Sequence, residues 1–189
     1  MTTAAGRPRS LFTWLSAEAP AAAAAWIAVD ATPLIAAPAV IQTLVLNIIG
    51  VHATDANATH ESAWARSHHG WSGYAALLGA LVVTALSEEL FRNLPLGLVA
   101  WRWRTPLVIG PATVVVCAAL AMGHVIPTGA SLASGVVYMW SRGIGGLVLA
   151  GVFFKCGGLN RHPVKGYCFA ALSHFIYDAV VFTLVLATG

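Results

Sequence analysis

Apolar residues dominate the chain in five long runs that are separated by short polar stretches. The runs cover residues 33–51, 71–91, 106–123, 132–154 and 167–188. Each run is close to the length of about 20 mostly apolar residues that a helix needs to cross a bilayer. The pattern predicts an all-α protein, a polytopic transmembrane helical bundle with five to six spans.

A sixth span depends on the alanine-rich segment before the first run. Residues 11–29 are largely apolar, but Glu18 and Pro20 interrupt them, so the segment is interpreted either as an interfacial helix or as an extension of the first span. A signal peptide is the rival interpretation, and the apolar character that continues into the first run favours an uncleaved anchor. We therefore divide the chain into an N-terminal tail with an interfacial or membrane segment, residues 1–32, and a transmembrane helical domain, residues 33–189.

Eight of the ten Lys and Arg residues fall into three groups, at the N-terminus and after the second and fourth runs. These groups are Arg7 and Arg9; Arg92, Arg102 and Arg104; and Lys155, Arg161 and Lys165. The other loops, residues 52–70 and 125–131, contain only one basic residue, Arg66. Because Lys and Arg concentrate in cytoplasmic loops, the pattern predicts a multi-pass protein of the cell membrane with a cytoplasmic N-terminus.

Composition narrows the function classes further. Hydrophobic residues make up 58% of the chain and charged residues 9%, whereas soluble domains contain about 25% charged residues. The net charge of +3 is spread between the apolar runs, so the bilayer is the expected partner and nucleic acid is not. Trp101 and Trp103 are typical of an interfacial aromatic belt. Cys117, Cys156 and Cys168 have no metal-type spacing and predict no disulfide framework.

Polar side chains inside the apolar runs carry the candidate chemistry. Each costs about 2.5–3.5 kcal/mol at the centre of a span, so those present need partners or a function. They lie on three predicted helices: Glu88, Glu89 and Arg92 in the second, His124 at the end of the third, and His174 and Asp178 in the fifth.

Helical spacing indicates which of these groups can act together. His174 and Asp178 share a face because they are four residues apart. Arg92 can pair with Glu88 or with Glu89, and the other carboxylate is left for chemistry. A free glutamate with a histidine from another helix can deprotonate a water, and a second histidine with a hydrogen-bonding neighbour can stabilise an oxyanion. The set therefore predicts a peptidase site within the bilayer.

Each group also has an ordinary structural explanation when it is taken alone. His124 could be a packing residue, and Glu89 with Arg92 a structural ion pair. Arg142, in the fourth span, could reach the interface or pair with Asp178 or a free glutamate. The loop at 52–70 is rich in histidine and has an Asn57-Ala-Thr glycosylation motif, and a solvated loop is favoured there over a metal site.

The three motifs, in this order and on separate apolar helices, resemble the CPBP family of intramembrane peptidases, which includes CAAX prenyl endopeptidases. The family pattern is Glu-Glu-x-x-x-Arg, then Phe-x-x-x-His, then His-x-x-x-Asn or Asp. The resemblance covers roughly residues 71–181. Leu120 stands where the family has Phe, and Asp178 is an accepted variant of Asn.

The first motif is one residue shorter than the family pattern, and two alignments result. If the glutamates are matched, Glu88 corresponds to the water-activating residue and Glu89 to the partner of Arg92. If the residues from Phe91 onwards are matched, Ser87 occupies the position of the catalytic glutamate, Glu88 pairs with Arg92, and peptidase activity is no longer implied. We prefer the first alignment, because pairing over three residues is still permitted.

The resemblance implies that Glu88 and His124 activate water and that His174 and Asp178 stabilise the oxyanion. It implies no cofactor, with zinc or another divalent metal held by the Glu-His-His set as the alternative. The substrate would be a membrane-embedded or lipid-anchored protein or peptide. The competing hypotheses are a small transporter or proton-relay component, and an inactive family member that binds membrane peptides. The sequence carries no indication of the oligomeric state.

One difficulty accompanies this hypothesis. With the predicted boundaries, Glu88 ends a span that runs inward and His124 ends one that runs outward, so straight spans would put them at opposite faces of the bilayer. We therefore expect one of these helices to be longer or shifted. A separation of more than about 15 Å, one leaflet, would exclude a shared site.

Overall fold

The protein is built from helices that form a membrane bundle. The computed structural model describes residues 10–48, 70–125 and 132–188, in which the helices are α1 Leu11–Ser16, α2 Ala21–Asp30, α3 Thr32–Ile48, α4 Gly70–Arg102, α5 Pro106–Val125, α6 Leu132–Phe153 and α7 Pro163–Thr188. No strand occurs in these residues, and five segments are long and apolar enough to cross a membrane. The predicted all-α polytopic bundle is confirmed. The histidine-rich loop, the glycosylation motif, Arg7 and Arg9 lie outside the described residues.

The alanine-rich segment extends the first span. The Ala31 N–H bonds to the Ile27 carbonyl at 3.0 Å, and the Ile35 N–H bonds to the Ala31 carbonyl at 3.0 Å, so hydrogen bonding continues from α2 into α3. The resulting apolar segment is Ala21–Gln42. The continuous helical hydrogen bonding favours extension of the first span over a separate interfacial helix.

Helix α4 is much longer than predicted. We expected this span to end at residue 91, but the helix continues to Arg102 and contains 33 residues, which is about 50 Å. The prediction was wrong because Arg92 was grouped with Arg102 and Arg104 in the polar stretch after the second run. Arg92 and Asn93 are buried and bind Glu89 within the helix. Glu88 consequently lies near the middle of α4.

The other boundaries agree with the sequence to within a few residues. Helices α5 and α7 begin at Pro106 and Pro163, where proline is favoured because the first helical N–H has no intrahelical partner. A wide π-helical turn, Phe154–Gly158, follows α6, and Gly157 within it has φ +139°. A side chain would be strained at that angle, and a Cβ there would lie 2.7 Å from the His162 carbonyl oxygen.

Packing places α6 in the middle of the bundle, against α3, α5 and α7, while α4 packs on α5 and α7. The core contains Leu149, Ala150 and Phe153 from α6. Helices α4 and α7 are antiparallel, because Tyr74 bonds to Thr183 and Tyr167 donates to the Leu86 carbonyl, each at 2.9 Å. This pairing sets the α7 motif beside the α4 motif.

Residues 10–20, which we call the strap, cross the turn between α6 and α7. Lys155 Nζ donates to the carbonyls of Trp14 at 2.7 Å and Ala17 at 2.5 Å. Lys165 Nζ lies 2.6 Å from a Glu18 carboxylate oxygen. The strap and the basic residues of this turn therefore lie at the same end of the bundle.

Candidate functional site

Helix α4 presents two adjacent carboxylates in different directions. Successive residues on a helix diverge by about 100°, so Glu88 and Glu89 cannot share one environment. Glu89 has no exposed surface and points at α7, whereas the Glu88 side chain is 25% exposed. Their partners differ accordingly.

Glu89 is held by three donors. Arg92 forms an ion pair with Oε1, Asn93 Nδ2 donates to Oε2 at 3.0 Å, and His174 Nδ1 lies 2.9 Å from Oε1. Because a carboxylate only accepts hydrogen bonds, His174 donates from Nδ1. The predicted pair of Glu89 with Arg92 is present, and Glu89 is fully used in binding its neighbours.

Glu88 instead faces two imidazole rings. Its Oε2 is 3.6 Å from His124 Nε2 and 3.8 Å from His174 Nε2, distances longer than a direct hydrogen bond. These three side chains line a cavity of about 40 Å³. A cavity of this size and polarity has room for a water molecule, so Glu88 lies where a carboxylate could act on one.

His174 connects the two glutamates to the last motif residue. Its Nε2 lies 3.5 Å from Asp178 Oδ2, one helical turn further along α7. Both residues are largely buried. The structure therefore brings together all four residues to which the sequence assigned catalysis: Glu88, His124, His174 and Asp178.

The length of α4 resolves the difficulty about opposite faces. Because Glu88 is near the middle of α4 rather than at its end, and α5 returns along α4, the far end of α5 comes back to the level of Glu88. The expected change is in α4, which is longer than predicted, while His124 lies one residue before the end of α5. The separation of 3.6 Å is well within the limit of about 15 Å set above for a shared site.

Ser87 lies away from this site. It is exposed, and its hydroxyl donates to the Thr84 carbonyl at 3.0 Å within α4. The second alignment of the first motif would require Ser87 in the catalytic position and Arg92 paired with Glu88. The observed pairing of Arg92 with Glu89 favours the first alignment.

No protein-family model, curated protein or solved structure matches the chain. The resemblance to the CPBP peptidases therefore depends on the three motifs and on the contacts between them.

Helix α6 closes the cavity from the other side. Arg142 lines it. A Cβ on Gly146 would lie 3.6 Å from Arg92 Nε and 3.4 Å from Cys117 Sγ. A larger side chain at position 146 would press on the arginine that binds Glu89.

Two residues of the site were not singled out from the sequence. Asn93 follows Glu89 by four residues, a spacing that puts both on one face, and this was the available signal. Tyr177 also lines the cavity, but an aromatic residue in an apolar run gives no signal that distinguishes it from core packing.

The zinc alternative does not fit the observed arrangement. Among residues 10–48, 70–125 and 132–188, no group of three or more His, Cys, Asp or Glu side chains is placed to hold a metal ion. The reaction proposed below therefore contains no metal-dependent step.

Proposed function

We propose that the protein is an intramembrane peptidase that hydrolyses a peptide bond of a membrane-embedded or lipid-anchored protein. The observation that carries this proposal is the different environment of two adjacent glutamates. Glu89 is bound by three donors, whereas Glu88 faces a small cavity between two histidines. A structural role alone would explain Glu89 but not the position of Glu88.

In the proposed reaction, Glu88 is the general base. It takes a proton from a water in the cavity while His124 holds that water, and the water oxygen attacks the amide carbon. The carbonyl oxygen becomes an oxyanion. The C–N bond then breaks, and Glu88 returns the proton to the departing amine. The products are a carboxylic acid and an amine, with one water consumed.

His174 and Asp178 stabilise the oxyanion in this proposal. Because His174 Nδ1–H already donates to Glu89, its Nε2 can donate only when the ring carries both protons. Glu89 then balances the charge of the ring. Asp178 lies 3.5 Å from the same Nε2, where it orients the imidazole or, when protonated, donates to the oxyanion itself.

The test is cleavage of a fluorogenic transmembrane peptide by the purified protein in vesicles. The variants are Glu88→Gln, His124→Ala and the matched control Ser87→Ala on the same helix. Loss of a general base lowers a rate by about 10²–10⁴-fold, so we expect that loss in Glu88→Gln. Ser87→Ala should cleave at the wild-type rate, because its hydroxyl bonds only to its own helix.

Several outcomes would overturn the proposal. Normal cleavage by Glu88→Gln excludes Glu88 as the base, and loss of cleavage in Ser87→Ala removes the distinction between Glu88 and Ser87 on which the assignment depends. Absence of cleavage, together with a proton flux that depends on Glu88, favours the relay hypothesis. Loss of cleavage on treatment with a chelator favours the zinc alternative.

A further inference from the structure

A second and much larger cavity lies between the second half of α4 and the turn that connects α6 to α7. Its volume is about 460 Å³, within the range of about 300–1,000 Å³ typical of ligand pockets. It is separate from the small cavity at Glu88, and none of the four proposed catalytic residues lines it. The peptidase proposal therefore does not account for it.

The walls of this cavity are apolar and its charged groups are cationic. Leu94, Leu98 and Leu159 contribute apolar surface, whereas Arg104 and Arg161 contribute guanidinium groups. Among the described residues, its lining contains no acidic side chain. The occupant that fits has a long apolar part and an anionic group.

The position in the bundle indicates the source of such an occupant. Arg104 follows the end of α4, and Arg161 precedes the start of α7. Trp101 also lines the cavity and is largely exposed, and tryptophan with arginine is typical of the headgroup level of a bilayer. A lipid whose phosphate lies at that level can place an acyl chain along the leucines.

We propose that this cavity binds an anionic phospholipid, with its phosphate between Arg104 and Arg161 and one acyl chain in the apolar groove. Guanidinium groups bind phosphate oxygens through paired N–H donors. The N-terminus of α7 begins at Pro163, which also lines the cavity, and a helix N-terminus favours a nearby anion.

The loop that carries Arg161 is held in place before any lipid binds. Arg161 has φ +66°, a conformation that costs a non-glycine residue energy and persists where the surroundings hold it. The strap supplies those surroundings, since Asn160 Nδ2 donates to the Ser16 carbonyl at 2.9 Å and His162 Nδ1 lies 2.8 Å from Glu18. Arg161 is thereby fixed at the mouth of the cavity.

The experiment measures lipid preference by tryptophan fluorescence. The full-length protein is placed in phosphatidylcholine vesicles that contain increasing fractions of brominated phosphatidylglycerol or of brominated phosphatidylcholine, which quench nearby indoles. Trp101→Phe identifies the quenching that comes from the cavity. We expect half-quenching of the Trp101 signal at a several-fold lower mole fraction of the anionic lipid.

The variants test the two arginines against a neighbour of equal charge. Arg104→Gln and Arg161→Asn should each abolish the preference, and asparagine is chosen because it tolerates a positive φ. Arg102→Gln is the control, because the Arg102 guanidinium lies over the Trp103 ring at 5.4 Å and does not line the cavity. Circular dichroism checks that each variant is folded. If Arg161→Asn is unfolded, the result for Arg104→Gln alone tests the proposal.

Equal quenching by both lipids would overturn the proposal, as would a loss in Arg102→Gln as large as in Arg104→Gln. Loss of the quenching by the anionic lipid in millimolar inorganic phosphate would also overturn it, because the site would then recognise a free anion. None of these readouts uses peptide cleavage, so this proposal and the peptidase proposal can fail independently.

Discussion

Two groups of charged side chains, one inside the bundle and one at its end, use the same residue types in different ways. At the strap, Lys155 donates to two backbone carbonyls and lies 4.5 Å from the centre of the Trp14 ring, and Lys165 binds Glu18 and the Ala19 carbonyl. Inside the bundle, Glu89 is likewise bound by donors of the protein, from Arg92, Asn93 and His174. Its neighbour Glu88 meets two histidine nitrogens at 3.6 and 3.8 Å.

This difference separates structural charges from candidate chemistry. A charge whose hydrogen-bonding capacity is filled by the protein stabilises the fold and is unavailable to a substrate. A charge that is enclosed but placed beyond hydrogen-bond distance of its neighbours leaves space for a reactant. By that criterion the strap and Glu89 are structural, and Glu88 is the residue of interest.

The largest expected effect concerns Glu89. Glu89→Gln should lower the free energy of unfolding by about 3–5 kcal/mol, because it leaves Arg92 buried without its charged partner. Thermal unfolding in detergent, followed by circular dichroism, measures this. Glu88→Gln is the matched control and should be clearly milder; equal destabilisation by the two variants would remove the distinction between the two glutamates.

The next effect concerns the proposed oxyanion site. Asp178→Ala should lower the cleavage rate by about 10²–10³-fold, the usual cost of losing one such donor, with a smaller change in KM. Asp178→Asn should keep most of the activity, because the amide can still orient His174 and donate. If both variants cleave at the wild-type rate, Asp178 has no part in the reaction.

A smaller effect is expected at the strap. Lys155→Met keeps the side-chain length but removes the cation that binds two carbonyls, and hydrogen bonds to a charged group contribute about 1.5–3 kcal/mol. The unfolding free energy should fall by that amount, measured as above. The rate of peptide cleavage per folded molecule should remain unchanged. A slower rate would show that the strap contributes to the reaction.

The smallest effect is a pH dependence at Glu18. Hydrogen bonds from Lys165 and then His162 hold the pKa of Glu18 below its usual value of 4.5. The stabilisation is therefore complete above about pH 4.5 and is lost as the pH falls through the lower folded-state pKa. For a partly exposed pair it amounts to about 1 kcal/mol or less.

The measurement is thermal unfolding of wild-type protein and Glu18→Gln between pH 7 and pH 3. The advantage of the wild type should be constant at neutral pH and should shrink only in the acidic range. An advantage that grows with acidity would reverse the assigned direction.

Much of the fold followed from the sequence because apolar length decides it. Four of the five spans begin within a few residues of the predicted position. The exception is the first span, because the sequence allowed two interpretations of the alanine-rich segment before it. The end of α4 was missed for a physical reason. Arg92 is hydrophilic in isolation, but its charge is neutralised by Glu89 one turn earlier, and a count of apolar residues does not include such pairing.

The candidate site was predictable in its members but not in its division of roles. Spacing on one helix identified the pair of His174 with Asp178 and left Arg92 to pair with either Glu88 or Glu89. The choice between Glu88 and Glu89 depended on which face of α4 packs on α7, and this is set by contacts between helices far apart in the chain. The large cavity near Arg104 could not be anticipated, because it is formed by two segments that only the fold brings together.

The length of α4 has a consequence for how the protein sits in a membrane. A helix of about 50 Å exceeds the hydrocarbon thickness of about 30 Å, so it must tilt or project beyond the bilayer surface. Hydrophobic mismatch of this kind makes the tilt of a helix respond to the local lipid thickness. Since Glu88 lies near the middle of α4 and the arginine-lined cavity near its end, bilayer thickness sets the depth of both sites together.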